Sequence, residues 1–91
     1  MQEIRTKVAS AVGLHARPAA LFSSRAKKSG CTVRLAKLSE GIASNFVDGA
    51  SVLRVMTLGV KCGDEILIQI EGEHEVQTAI DLREIVESTE H

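Results

Sequence analysis

The sequence predicts an α+β domain in which one antiparallel sheet carries all its helices on a single face. Three observations lead there. Several stretches alternate apolar with polar residues, the mark of strands buried on one side and wet on the other. Three further segments place apolar residues at helical spacing. The elements follow in the order strand, helix, strand, strand, short helix, strand, helix, a βαββαβα arrangement that closes over one two-layer core.

Ile4, Thr6 and Val8 alternate with Glu3, Arg5 and Lys7 in the first strand. From 16 to 28 the period changes, with Ala19, Phe22 and Ala26 on one helical face and Arg25 and Lys28 on the other. Lys27 and Lys28 suit the carbonyl end of that helix, and Gly30 is its stop. Residues 32–38 alternate again, Val33 and Leu35 opposing Arg34 and the aliphatic stem of Lys37. Ser39-Glu40-Gly41 is a turn signal, and 45–48 reads as a short strand returning alongside. Ser51 opens a brief apolar helix over 52–58 that Gly59 ends. Gly63-Asp64 turns the chain into the last strand, 65–71, where Ile66, Ile68 and Ile70 share a face opposite Leu67 and Gln69. After Gly72 a final amphipathic helix begins near His74, with Val76, Ala79, Ile80 and Val86 as its apolar side and Glu73 and Glu75 near its positive end. His74 is expected to face solvent, and His91 to be a disordered terminal residue.

Ninety-one residues with 44% apolar content make one small domain over 1–91, with no repeat, linker or low-complexity stretch. Aromatic residues are 2% of the chain and the formal net charge is −1, so neither base stacking nor a broad basic footprint is available and no nucleic-acid partner is expected. No apolar run approaches membrane-spanning length, which argues against direct membrane insertion. The opening residues are too polar for a signal peptide, and Cys31 and Cys62 lack the close neighbours of a zinc or redox motif. They read as reduced thiols of a cytoplasmic protein, with no metal or cofactor implied.

Function is concentrated in Gly13-Leu14-His15-Ala16-Arg17-Pro18-Ala19, where a strand-like segment gives way to a helical one. Proline lacks an N–H and is tolerated only in a first turn, where that donor would have no partner. If His15 caps the helix, Pro18 is its third residue; if Pro18 is the first, Arg17 is the cap. Either way His15 stands at the positive helix end, beside free backbone N–H groups that suit phosphate oxygens and a guanidinium that can pair with them bidentately. A neutral imidazole is nucleophilic, and the helix end and Arg17 favour the neutral ring over the imidazolium. A phosphoryl group on its nitrogen stays reactive enough to be passed on, which suits a carrier.

This heptad strongly resembles the active-site motif of the HPr family, the histidine-containing phosphocarriers of the bacterial phosphoenolpyruvate-dependent sugar phosphotransferase system. A second block, Ser51-Val52-Leu53-Arg54-Val55-Met56-Thr57-Leu58-Gly59, is similar to the family's regulatory serine and short second helix. The resemblance spans nearly the whole chain. It implies an open-faced β-sandwich of four antiparallel strands with three helices on one face. It further implies that His15 is phosphorylated on Nδ1 by phospho-enzyme I and hands the group to sugar-specific enzyme IIA proteins. Arg17 then stabilises the phosphate, with the backbone N–H groups of Ala16 and Arg17 completing the pocket. Such a protein is a carrier rather than an enzyme, and a monomer is expected.

In the family, partners dock on the face shared by the first two helices. The matching residues here are Val12, Ala16, Ala20, Leu21, Ser24 and Lys27, with Val52, Leu53, Arg54, Met56 and Thr57. Apolar residues rimmed by Arg17, Lys27 and Arg54 suit an apolar-centred, acidic-rimmed surface. A short helix cannot bury every side, so at least one of Val52, Leu53 and Met56 is expected to be exposed. Arg54 departs from the glycine usual in the branch regulated by a serine kinase, and Ser51 is therefore read as a helix cap rather than a regulatory site. The 37–44 hairpin is a few residues longer than the family's and is expected to lie away from the docking surface.

Three other readings remain at this point. One is the nitrogen-related regulatory branch of the same family, which Met56-Thr57-Leu58-Gly59 disfavours. Another is a non-catalytic module that binds a transcriptional regulator through Ser51 and the short helix. The third is an unrelated α+β ligand-binding domain whose His15 is a mere cap.

Overall fold

The structure is a computed structural model that describes residues 1–89; the expectation for His91 lies outside them. In chain order the elements are β1 (Gln2–Lys7), α1 (Ala16–Ser29), β2 (Thr32–Ser39), β3 (Ile42–Ala43), β4 (Val47–Asp48), α2 (Val52–Thr57), β5 (Glu65–Glu71) and α3 (Glu75–Glu87). The sheet is antiparallel throughout, with β5 between β1 and β2 and with β3 and β4 both pairing the outer edge of β2.

Register places the β-branched residues together. Ile68 of β5 lies opposite Ile4 on one side and Leu35 on the other, and Ile70 lies opposite Val33. These side chains share one face because residues two apart in a strand point the same way. Phe22, Ala19 and Ala26 of α1 and Leu82 and Val86 of α3 close over that face, and Phe22 is fully buried. Arg25 of α1 donates to Asp81 of α3 at 2.8 Å through Nε, tying the two long helices together outside the core.

Two expectations need correction. Of the returning strand expected at 45–48 only Val47–Asp48 pairs, as β4, and pairing already begins at β3, Ile42–Ala43, so the fourth sheet position is filled by two short pieces. Leu38 pairs with Ala43 and Leu35 with Val47, three steps along β2 against four on the return, which is a one-residue bulge. Ser44 bridges the gap, donating its N–H to the Lys37 carbonyl at 2.8 Å and accepting from the Lys37 N–H through Oγ at 2.9 Å. Glu40 (φ 52°) and Gly41 (φ 80°) form the hairpin's tight turn, whose two positive φ values match the twist of the flanking strands.

The second correction concerns α3. Its buried stripe runs through Thr78, Leu82 and Val86, with Ala79, whereas Val76 and Ile80 are exposed. Thr78, though polar, is fully buried with its hydroxyl 3.7 Å from the Cys31 sulfur. Positions 78, 82 and 86 repeat every four residues along one row, and Val76 and Ile80, two residues out of step with it, stand on the far side of the helix. His74 is exposed and caps α3 through its backbone alone.

Candidate functional site

The loop between β1 and α1 is fastened at both ends. Ala9 donates to the Val86 carbonyl at the end of α3 (3.0 Å), and Val8 donates to Asp64 and accepts from Gly63. Leu14, almost fully buried, donates to the Val60 carbonyl at 3.1 Å. Gly13 explains its place in the motif here. At φ 67° it occupies the left-handed region, and a Cβ would stand 2.2 Å from the Val60 carbonyl oxygen.

One residue beyond this buried anchor, the chain surfaces. His15 is exposed and is the N-cap of α1, with extended backbone (φ −135°, ψ 157°) and no hydrogen bond from its side chain to the helix. This decides between the two registers left open above: Pro18 is the third helical residue and sits buried beneath the site. Arg17 is exposed and makes no ion pair among the described residues. The amides of Ala16 and Arg17 lie in the first turn, where helix geometry provides no carbonyl to receive them. The macrodipole adds roughly half a positive charge at this end. The ensemble is an accessible imidazole, a guanidinium and backbone donors at one helix tip, with no acidic residue in the first turn.

The backbone of Ala16 adds something that periodicity did not reveal. Its φ is 50°, a left-handed conformation that costs an L-residue roughly 1–2 kcal/mol. Non-glycine residues held this way cluster at functional sites. No signal in the side-chain pattern marks it, because the strain belongs to the junction between the pinned loop and the helix.

The α2 residues stand against α1. Ser51 Oγ accepts from the Arg54 N–H at 3.3 Å, the bond of a helix cap. Val55 is fully buried, whereas Leu53 is 77% exposed and Val52 37%. On α1 and the loop before it, Val12, Ala20, Leu21, Ser24 and Lys27 all reach solvent, as do Arg54 and Thr57; Met56 is half-buried. A groove between the two helices is lined by Ala20, Ser23, Ser24, Lys27, Ala50 and Val52. Ser23 and Ala50 extend this surface beyond the expected residues: Ser23 stands one turn from both Ala20 and Lys27 on α1, and Ala50 lies in the turn before α2. The hairpin root is nearer α2 than expected: Lys37 Nζ reaches the Gly59 carbonyl at 3.5 Å and Asp64 at 3.3 Å.

Carboxyls with displaced titration serve structure elsewhere. Asp64 is held below the usual carboxylate range, chiefly by the Lys61 backbone N–H and then by Lys37, which fixes the 61–64 turn beneath Val8. Asp81 is held low by Arg25 and then Gln77, and Glu87 by the Thr6 hydroxyl and then Arg83. Both cysteines are free thiols, and no helix is long and apolar enough to cross a membrane among the described residues. No group of three or more His, Cys, Asp or Glu side chains among these residues could hold a metal.

Residues 2–88 match the family described as the PTS HPr component phosphorylation site. The phosphocarrier protein HPr of Mycoplasma pneumoniae is 32% identical over 87 residues, covering 96% of this chain and 94% of that protein. A crystal structure of HPr-C-His from Thermoanaerobacter tengcongensis superposes with a TM-score of 0.84 at 31% identity, covering 97% of this chain and 93% of that one. A structure described as an HPr dimer from the same organism aligns with a TM-score of 0.68 at 30% identity, covering 96% and 94%.

Proposed function

The chain belongs to the HPr family of phosphotransferase-system phosphocarriers, and from that premise we propose that His15 is the residue that carries its phosphoryl group. A phosphocarrier hands a group on and is not itself an enzyme. The observation that carries the assignment is the exposed His15 ring at the tip of α1, free of any capping bond and next to unpaired Arg17.

In this reading the lone pair of Nδ1 forms a P–N bond as the bond between phosphorus and the phosphohistidine of enzyme I breaks. The Arg17 guanidinium and the N–H groups of Ala16 and Arg17 receive the phosphoryl oxygens, so charge placement alone lowers the barrier. The transfer to an enzyme IIA protein of a sugar permease reverses these roles. Since Arg17 has no carboxylate partner to leave among the described residues, presenting it to a phosphoryl group breaks no ion pair there.

The docking face comprises the exposed residues of α1 and α2, with Leu53 at its apolar centre and Arg17, Lys27 and Arg54 at its rim. Ser51 serves as the cap of α2 and not as a kinase substrate or the contact of a transcriptional regulator. The protein acts as a monomer in the cytoplasm. Incubation with enzyme I and labelled phosphoenolpyruvate tests the assignment: acid-labile label should appear and vanish in His15→Ala. Acid-stable label on Ser51, or label that survives His15→Ala, would overturn it.

A further inference from the structure

Leu53 and Ile42 are the two most exposed large apolar side chains among the described residues, at 77% and 74%. Leu53 belongs to the docking face on α1 and α2, whereas Ile42 stands on the β2–β3 hairpin, outside that face. Register fixes the side of the sheet on which it projects. Ile42 lies opposite Ser39, and residues opposite one another in an antiparallel pair share a face. Ser39 follows Val33, Leu35 and Lys37 in steps of two, and Val33 and Leu35 are buried in the core beneath the helices. Ile42 is therefore on the side that carries α1 and α2.

The hairpin also stands at the end of the sheet where His15 is presented. Glu65, the first residue of β5, lies opposite Lys7 in β1 and opposite Leu38 in β2. Both outer strands thus finish where β5 begins. Three connections gather at that end: residues 8–15 leading to His15, residues 58–64 leaving α2, and the turn at Glu40 and Gly41. Lys37 ties the last two together, donating to the Gly59 carbonyl at 3.5 Å with Asp64 Oδ2 at 3.3 Å. Ser44 bonds to both the N–H and the carbonyl of Lys37, so Ile42 rides on a braced hairpin.

Beside Ile42 is a shallow recess lined by Lys37, Ser39, Ala43 and Ser44. None of these residues is acidic, and the Lys37 ammonium is already matched by Asp64, so the recess offers methyl groups, an aliphatic stem and hydroxyls. Such a surface selects an apolar occupant over a charged one. We propose that the hairpin is a further wall of the docking surface, and that enzyme I lays an apolar side chain against Ile42 and the Lys37 stem as it loads His15. The proposal rests on the reading of α1 and α2 as the docking face, and extends that face past the end of α2. Enzyme I is the occupant because loading opens every cycle, and a donor that reaches His15 must approach this same end of the sheet.

Calorimetric titration of the full chain with enzyme I tests this, using Ile42→Thr, Ile42→Val and Leu53→Ala. Threonine and valine share a shape and a preference for strands, so the first two variants separate apolarity from fit. Ile42→Thr should weaken binding roughly fivefold, equally at low and high salt because no charge is removed. Ile42→Val should bind within about twofold of the parent. Both should melt with the parent, since the side chain is 74% exposed. Unchanged affinity in Ile42→Thr, or a loss accompanied by a lower melting temperature, overturns the contact. A loss of affinity for an enzyme IIA protein alone, or a change only in the sedimentation of the chain by itself, assigns Ile42 another occupant and overturns it too. If Leu53→Ala weakens binding of enzyme I while Ile42→Thr does not, the docking face stands and the hairpin wall falls. If neither weakens it, both fall.

Discussion

The N–H of Leu14 and the carbonyl of Val60 are joined at 3.1 Å, and this bond couples the residue before His15 to the segment that leaves α2. The histidine is thus presented by a rigid junction of two chain segments rather than by a free loop. Gly13 lies against the same carbonyl, so the approach of the backbones is set by the absence of a side chain there.

Gly13→Ala should therefore damage both fold and transfer. The new methyl would stand 2.2 Å from the Val60 oxygen in a backbone region hostile to L-residues. A loss of more than about 2 kcal/mol is expected in denaturant unfolding. Phosphorylation of the fraction that folds should slow as well, because His15 moves with the junction.

Arg17→Ala should separate the two properties. The side chain is exposed and unpaired, so unfolding free energy should change by less than about 0.5 kcal/mol. Phosphoryl transfer in rapid-quench assays should fall by about two orders of magnitude, the scale for loss of one transition-state charge contact. Equal losses in stability and rate would contradict the proposed role.

The exposed and buried sides of α2 predict opposite behaviour. Val55→Ala removes a fully buried side chain and should cost about 2 kcal/mol of stability with partner affinity preserved at temperatures where the variant is folded. Leu53→Ala trims a residue that is 77% exposed, so its melting temperature should hold while affinity for enzyme I drops.

Acid should weaken the link between α1 and α3. Asp81 titrates below its ordinary value because of Arg25 and Gln77. A carboxyl lowered on folding adds stability that is present above the unfolded value, near 3.9, and is lost as pH falls through the folded value. Melting measured from pH 7 down to about pH 2 should show Asp81→Asn less stable than the parent at neutrality by about 0.2–1 kcal/mol. The difference should begin to shrink below about pH 4 and close as pH falls through the lowered folded value.

Much of this was legible beforehand. Alternation at Ile66, Ile68 and Ile70 set the inward face of β5, and Pro18 confined the start of α1 to a narrow choice. The misses share a cause. The 42–48 return depends on a bulge and on Ser44 standing in for a strand residue, and neither has a periodic signature. Val76 and Ile80 are as apolar as core residues, yet α3 rests on the row of Thr78, Leu82 and Val86. A hydrophobicity pattern marks apolar rows on α3 but not which side of the helix meets the sheet.

Chain order and residue type alone determined the long strands, the helices, the family and the histidine at a helix start, because these depend on local period and short motifs. Tertiary packing decided the rest: which register caps α1, the left-handed backbone at Ala16, and the approach of Lys37 to Gly59. Each of these arises where two segments distant in sequence compete for one volume, and no single segment carries that information.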